Sequence, residues 1–193
     1  MRRDVAVIGL GAMGAATLWQ LAARGVRCIG IDRLSPPHDQ GSSHGETRIT
    51  RAAVGEGAQY VPFVRRAHAL WRELEAATGD ALFEACGTLV MAPRGVRTGH
   101  HKKVDFLGRT IAVAREHGIP HEVLEAGQIA ARFPGFALKG DEVGYLEPGA
   151  GYVRPERCIA AMLAEATRLG ARIETGRRVL SVTCLLYTSD AAD

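Results

Sequence analysis

The sequence predicts an α/β fold in which a parallel-sheet domain is interrupted by a segment of different character. Near the N-terminus two apolar runs flank a stretch with helical periodicity. That strand, helix, strand pattern lapses after about residue 84 and resumes near residue 150. Between them a polar, glycine-rich stretch, PPHDQGSSHGETRITRAAVGEG (residues 36–57), stands where the alternation would otherwise continue. With 193 residues, 47% of them hydrophobic, the chain can build one ordinary domain with a core, or parts of two.

Taken in order, Asp4–Leu10 is β-branched and apolar, as suits a strand covered on both faces. After the glycines that follow, Leu18, Leu21 and Ala22 fall on one helical stripe, and Gly25 is placed to close it. Val26–Ile31 is the second strand and runs into Asp32. Residues 36–57 are too broken for a strand or a long helix, and a long irregular loop inside a compact domain is usually functional. Pro62 opens a helix with Phe63, Ala67, Leu70, Leu74 and Ala77 on one face, closed by Gly79. Thr88–Ala92 reads as a strand, and Val104–His117 as a helix turning Leu107, Ile111 and Ala114 inward. Val143–Leu146 is a short strand beyond the break at Pro134 and Gly135. Pro155 starts a helix with Ile159, Met162, Ala166 and Leu169 on one side, Gly170 ends it, and the strand Ala171–Glu174 follows.

The formal net charge is only +3, and Lys and Arg are scattered among acidic residues. Neither a nucleic acid nor a membrane surface is expected as a partner, and no stretch approaches the roughly 20 apolar residues that span a bilayer. Cys28, Cys86, Cys158 and Cys184 form no C-x-x-C pair, so neither a zinc site nor a disulfide framework is expected. The first three read as small buried or half-buried thiols of a cytoplasmic protein. The N-terminus is basic, then apolar, but enters the glycine turn within a few residues without a signal-peptide cleavage pattern. His100 and His101 are adjacent and lack a third ligand, so no metal site is expected and a solvated loop is the simpler reading.

Gly9, Gly11 and Gly14 make the G-x-G-x-x-G spacing between the first strand and the first helix. The first glycine permits the tight turn, the second lets a pyrophosphate approach the backbone, and the third lets the helix pack on the strand. The helix N-terminus offers unpaired N–H groups and a partial positive charge to phosphates. Asp32 follows at the distance where an acid accepts hydrogen bonds from an adenosine ribose, which disfavours a 2′-phosphorylated cofactor, although Arg33 beside it weakens that argument. NAD and FAD carry the same ADP half, and the glycines alone choose neither.

The loop at 36–57 separates them. Here the chain resembles the amine-oxidising flavoproteins of the D-amino-acid-oxidase superfamily, in the branch of monomeric sarcosine oxidase, N-methyl-tryptophan oxidase and pipecolate oxidase. The resemblance runs from Asp4 to about Thr183 through GLGAMG, IDR, the loop itself, YVPFVRRAHALW, GTLVMAP and YLEPGAGYVRPE. It implies a Rossmann-type FAD-binding domain interrupted by part of an α+β substrate domain with an antiparallel sheet. Residues 1–84 and 147–183 would be the two parts of the FAD domain and 85–146 the substrate-domain segment. The family holds its flavin through a cysteine in the C-terminal half, and none of Cys28, Cys86 or Cys158 sits in the matching segment.

By the same resemblance the cofactor contacts are Gly9, Gly11, Ala12, Met13, Gly14, Asp32, Arg33, Ser42, Ser43, Thr47 and Val179. His44 and Arg48 lie along the flavin as the catalytic candidates, and Arg51 pairs with the substrate carboxylate. A guanidinium grips a carboxylate through two parallel hydrogen bonds, and fixed positive charge beside the ring favours its reduced, anionic form. In an extended loop Arg48 and Arg51, three apart, would point to opposite sides. One departure is Ser43, where the family usually has histidine, and the resemblance does not extend a direct ring contact to that position. Phe63, Leu70, Trp71 and Leu74 read as core.

The last ten residues, CLLYTSDAAD, fit nothing before them and back-translate to a sequence resembling a transposase adapter. Residues 184–193 are therefore read as adapter-derived and the protein as truncated near Thr183. The intact protein is expected to be an FAD-dependent oxidase of secondary amines bearing a carboxylate, such as sarcosine, another N-methyl amino acid or a cyclic imino acid. Its products would be an imine and, from oxygen, hydrogen peroxide, and it would act as a monomer. Two alternatives stay open at this point: an NAD-dependent dehydrogenase of the hydroxyacid type, which GLGAMG also suits, and an inactive nucleotide-binding fragment.

Overall fold

The computed structural model describes residues 3–95 and 105–183. In chain order its elements are β1 (Val5–Ile8), α1 (Ala12–Ala23), β2 (Cys28–Ile31), β3 (Arg48–Thr50), a single 3-10 turn at Ala58–Tyr60, α2 (Val61–Thr78), β4 (Phe83–Glu84), β5 (Thr88–Pro93), α3 (Phe106–Glu116), β6 (Glu122–Glu125), α4 (Ala126–Arg132), β7 (Glu142–Glu147), β8 (Gly151–Val153), α5 (Pro155–Arg168) and β9 (Arg172–Glu174). The chain divides into two compact units, residues 1–45 with 155–193 and residues 46–154. These divisions fall at different places from the expected limits at 84 and 146, because residues 48–50 and 83–84 both pair with β8 inside the second unit.

The first unit is built on a parallel sheet in the order β1-β2-β9. Val5 pairs with Cys28 and Ile8 with Ile31, while Ile29 pairs with Arg172, so the alternation does resume at the far end of the sequence. Helix α1 buries Ala15, Leu18, Trp19 and Ala22, an i, i+3, i+4, i+7 stripe that packs against α5. Leu21, expected on that stripe, is only half-buried and Trp19 takes its place. Gly25 closes the helix at φ +72, where its N–H donates to Ala22 and the next N–H, of Val26, to Leu21. A Cβ on Gly30 would lie 2.7 Å from Leu10 Cδ2 and from Leu18 Cδ2, so its glycine lets the turn and helix settle on the sheet. Helix α5 begins with Pro155 and buries Ile159, Met162 and Ala166 as the periodicity predicts. Leu169 falls beyond its end and is 37% exposed.

The second unit holds two antiparallel three-stranded sheets, ordered β3-β8-β4 and β5-β7-β6. One core cluster joins Ala53, Val61, Ala92, Leu107, Val113, Ala114, Ile119 and Tyr145, and a smaller one joins Leu124, Ile129 and Leu146. Asp105 caps α3 by accepting from the Gly108 N–H at 2.8 Å, and Glu125 with Gln128 forms a capping box on α4. Gly79 ends α2 in the left-handed conformation, as expected.

Several expectations are corrected here. Residues 48–50, read as part of an unbroken loop, form β3 because β8 supplies a partner strand. Phe63 is 73% exposed and Ala77 is exposed, so the apolar face of α2 is covered only around Leu74, with Leu70 and Trp71 half-buried. Phe83 on the two-residue strand β4 stands beside this part of the helix, its ring 5.8 Å from that of Trp71. On α3, Thr110 is fully buried and Ile111 only partly, the threonine hydroxyl being satisfied by the Phe106 carbonyl at 2.8 Å. Cys86 is exposed, at the bend between β4 and β5, whereas Cys28 and Cys158 are buried. Val104, His100, His101 and residues 184–193 lie outside the described residues. Among those described, no helix is long and apolar enough to cross a membrane and no group of three metal-ligating side chains occurs.

Candidate functional site

In the first unit a cleft of about 820 Å³ opens over the C-terminal end of β1 and β2. Its floor is the glycine turn. Gly9 has φ +86, a conformation that a side chain would strain, and its N–H donates to Ile31 at 2.8 Å. Gly11 is the N-cap of α1 and offers no side chain to the first-turn N–H groups, and no acidic residue stands in that turn. The first-turn amides that precede intrahelical pairing therefore lie beside the cleft without a capping side chain, the arrangement that receives an anion. A Cβ on Gly14 would come within 1.8 Å of the Gly9 carbonyl oxygen, so the turn can close onto the helix only with glycine there. A Cβ on Gly11 would meet nothing nearer than Ser43 Oγ at 3.9 Å, which leaves open space at the point where a pyrophosphate would approach.

Asp32 is 8% exposed at the end of β2. Its Oδ2 accepts the Leu10 N–H at 2.7 Å and its Oδ1 the Leu34 N–H at 2.9 Å. Its own backbone is tied to both sides, the N–H to Glu174 and the carbonyl to Arg177, each at 2.9 Å. The carboxylate thus fixes the turn that it also faces, with lone pairs remaining for hydroxyl donors. His38 Nε2 stands 3.9 Å from Oδ1. These features, an uncapped helix start, a glycine cradle and a buried acid beside it, suit the phosphates and ribose of an ADP moiety.

The other candidates belong to the second unit. Arg48 opens β3, its Nη1 donating to the Thr47 carbonyl at 2.8 Å. The strand ends at Thr50, whose hydroxyl meets His68 Nε2 at 2.9 Å. Burial lowers the pKa of His68, and the Arg72 cation reinforces this against the pull of Glu147. Arg51 follows directly. Its Nη2 lies 3.2 Å from both carboxylate oxygens of Glu56, its guanidinium sits 5.4 Å from the centre of the Phe106 ring, and its Nε is buried with no partner. Behind it Glu147, 2% exposed, accepts the N–H groups of Ala52 and Ala53 and the hydroxyl of Tyr145. Burial, then the bond to Glu147, pushes the Tyr145 phenol far above its ordinary range, so it stays protonated and able to donate to Glu147.

Of the sequence-predicted residues, Gly9, Gly11, Ala12, Met13, Gly14, Asp32, Arg33, Ser42, Ser43 and Val179 come together on the one cleft, although they span positions 9 to 179. His44 is exposed in the same unit and does not line it. Thr47, Arg48 and Arg51 lie in the second unit. Sequence reasoning missed His38, Arg177 and Arg178 on the cleft, and Glu56 and Glu147 around Arg51. The signal for Glu147 was present: a charged residue within the apolar run GYLEPGAGY demands buried partners.

Comparison with known proteins gives concordant results. The profile of the family described as FAD-dependent oxidoreductase matches residues 4–185. The chain is 39% identical over 176 residues to monomeric sarcosine oxidase of Bacillus sp. (strain B-0618), covering 91% of this chain and 43% of that protein. It is 38% identical over 173 residues to N-methyl-L-tryptophan oxidase of Yersinia pestis (strain Pestoides F), covering 90% and 44%. Among solved structures, the open form of NikD, an unusual amino acid oxidase essential for nikkomycin biosynthesis, superposes with a TM-score of 0.76 at 28% identity over 90% of this chain and 43% of that one. The chain thus spans less than half the length of the relatives it matches.

Proposed function

Since the chain belongs to the family of FAD-dependent oxidoreductases, we propose that the intact protein is an oxidase of secondary amines that carry a carboxylate. FAD, not a nicotinamide, is the dinucleotide of this family, which sets aside the dehydrogenase alternative. The substrate class is sarcosine, another N-methyl amino acid or a cyclic imino acid, and the products are an imine and hydrogen peroxide. Residues 1–84 and 147–183 belong to the FAD-binding domain and 85–146 to the substrate domain. The protein works as a cytoplasmic monomer without nucleic-acid or membrane partners.

The observation that carries the substrate class is Arg51. A buried N–H without a partner costs roughly 1–3 kcal/mol, and Arg51 Nε is such a group beside a guanidinium held by a single carboxylate side chain, Glu56. A substrate carboxylate satisfies it and displaces Glu56, whose side chain is 55% exposed and returns readily to water. The aromatic face of Phe106 limits where the guanidinium can swing. On the cofactor side, Gly9, Gly11, Ala12, Met13 and Gly14 receive the pyrophosphate. Asp32 and Arg33 hold the adenosine ribose, Val179 the adenine, and Ser42, Ser43 and Thr47 the rest of the dinucleotide. His44 and Arg48 stand along the ring, where the Arg48 cation offsets negative charge. Bound FAD supplies the two-electron acceptor through which an amine becomes an imine and oxygen becomes peroxide.

Peroxide release by the intact protein tests this reading. Sarcosine, N-methyl-L-tryptophan and pipecolate are expected to include a substrate, with turnover at least tenfold above that on 2-hydroxy acids. Turnover of a 2-hydroxy acid with NAD reduction and no peroxide would contradict it.

A further inference from the structure

We propose that Glu147 is a positioning residue for Arg51: a buried carboxylate that clamps the backbone directly behind the substrate-gripping guanidinium and so fixes where that guanidinium stands. The proposal rests on the reading of Arg51 as the partner of the substrate carboxylate.

Arg51 sits between two anchors. Ahead of it, β3 pairs with β8 through Thr50 and Gly151, and Thr50 Oγ1 is joined to His68 Nε2 at 2.9 Å. Past it no ladder continues, and the two next backbone N–H groups would be unpaired inside the fold. Glu147 takes both, Oε1 accepting from Ala52 at 2.6 Å and Oε2 from Ala53 at 3.1 Å. Ala53 is fully buried, so its N–H has no water to turn to. Tyr145, also fully buried, donates its hydroxyl to Oε2 at 2.7 Å and completes a set of three donors that compensates a carboxylate taken out of water.

An apolar residue here would leave these donors unpaired, whereas a neutral acceptor would satisfy them without the desolvation penalty that a buried carboxylate carries and only well-placed donors offset. What the carboxylate adds is direction. It grips two successive N–H groups at once and sets the course of the chain at Ala52 and Ala53, and with it the base of the Arg51 side chain. A misplacement of about 1 Å in a group that orients a substrate can cost on the order of 100-fold in rate.

The test uses the intact flavoprotein and methoxyacetate, a carboxylate isosteric with sarcosine that has no nitrogen to oxidise, with its Kd read by calorimetry. Glu147→Gln keeps the shape but replaces one acceptor by a donor facing donors. It is expected to raise the Kd at least tenfold, raise the KM for an N-methyl amino acid similarly, and change kcat less than threefold. Tyr145→Phe, which leaves both backbone bonds in place, is expected to stay within threefold. Arg51→Met, measured alongside, is expected to raise the Kd about 100-fold. If R51M weakens binding while folded E147Q binds methoxyacetate as tightly as the parent, Glu147 is only a staple of the fold and the proposal is overturned. If R51M leaves the Kd unchanged, the Arg51 reading itself fails, and the clamp with it. Should E147Q not accumulate, a second variant decides. Glu147→Asp, which keeps the charge but is one methylene shorter, then replaces it: a Kd for methoxyacetate raised at least tenfold with kcat within threefold supports the clamp, and binding as tight as the parent overturns it.

Discussion

Replacing Arg51 by methionine in the intact protein is expected to lower kcat/KM for an N-methyl amino acid by about 10²- to 10³-fold. Two charge-assisted hydrogen bonds at roughly 1.5–3 kcal/mol each give about 3–6 kcal/mol at most, and each 1.36 kcal/mol is a factor of about ten. Most of the loss falls on KM, since the carboxylate is gripped equally before and during the reaction. Methionine keeps much of the side chain's length against Phe106 while removing charge and donors, so the fold should hold. Lysine should recover only part, because it restores the charge without the planar fork. Steady-state kinetics on an N-methyl amino acid, compared with the same amine lacking its carboxyl group, reads the effect. Equal losses on both substrates would assign Arg51 a structural role instead.

The second large effect separates two glycines that a motif treats alike. Gly14→Ala places a methyl group 1.8 Å from the Gly9 carbonyl oxygen, an overlap of backbone with no flexible end to give way. Overpacking of this kind costs about 1–3 kcal/mol or more, and here it also moves the turn. The protein is therefore expected to lose both thermal stability and FAD, with at least a 100-fold weaker Kd. Gly11→Ala meets no protein atom within 3.9 Å and sits at φ −68, ψ −166, which alanine adopts freely. Its apoprotein should melt within about a degree or two of the parent, while FAD affinity falls because the added methyl occupies space left for the pyrophosphate. Thermal denaturation of apoprotein together with flavin titration distinguishes the two. Equal behaviour of G11A and G14A would mean that Gly11 serves the turn and not the ligand.

The contrast between these residues explains how much could be read from the chain. The G-x-G-x-x-G turn, the stripe of α1 and the acid at position 32 are local patterns, each set by residues within about one β-α-β unit, so their geometry followed from spacing. Val179 and Ser43 reached the cleft from distant positions through family resemblance, which no periodicity supplies. By contrast β3, β4 and β8 are two or three residues long and exist only because they pair with one another, which leaves no alternation to detect. The same holds for Phe63: the helix face was correct in azimuth, but how far along the helix it is covered is set by residues distant in sequence, which periodicity does not show. Glu147 and Arg51 are 96 positions apart, and their joint role depends on β7 passing behind the end of β3. Arg177 and Arg178 escaped notice because arginines after a strand are ordinarily solvated.

Anaerobic titration of the purified intact protein tests the central claim most directly. Each secondary amino acid, sarcosine first, is added while the visible absorption is followed. The expected result is a yellow protein with one FAD per chain whose absorption near 450 nm bleaches with one equivalent of a carboxylated secondary amine and returns on admitting oxygen, with peroxide formed. A protein that carries no flavin, or a flavin that no secondary amino acid bleaches, would contradict it.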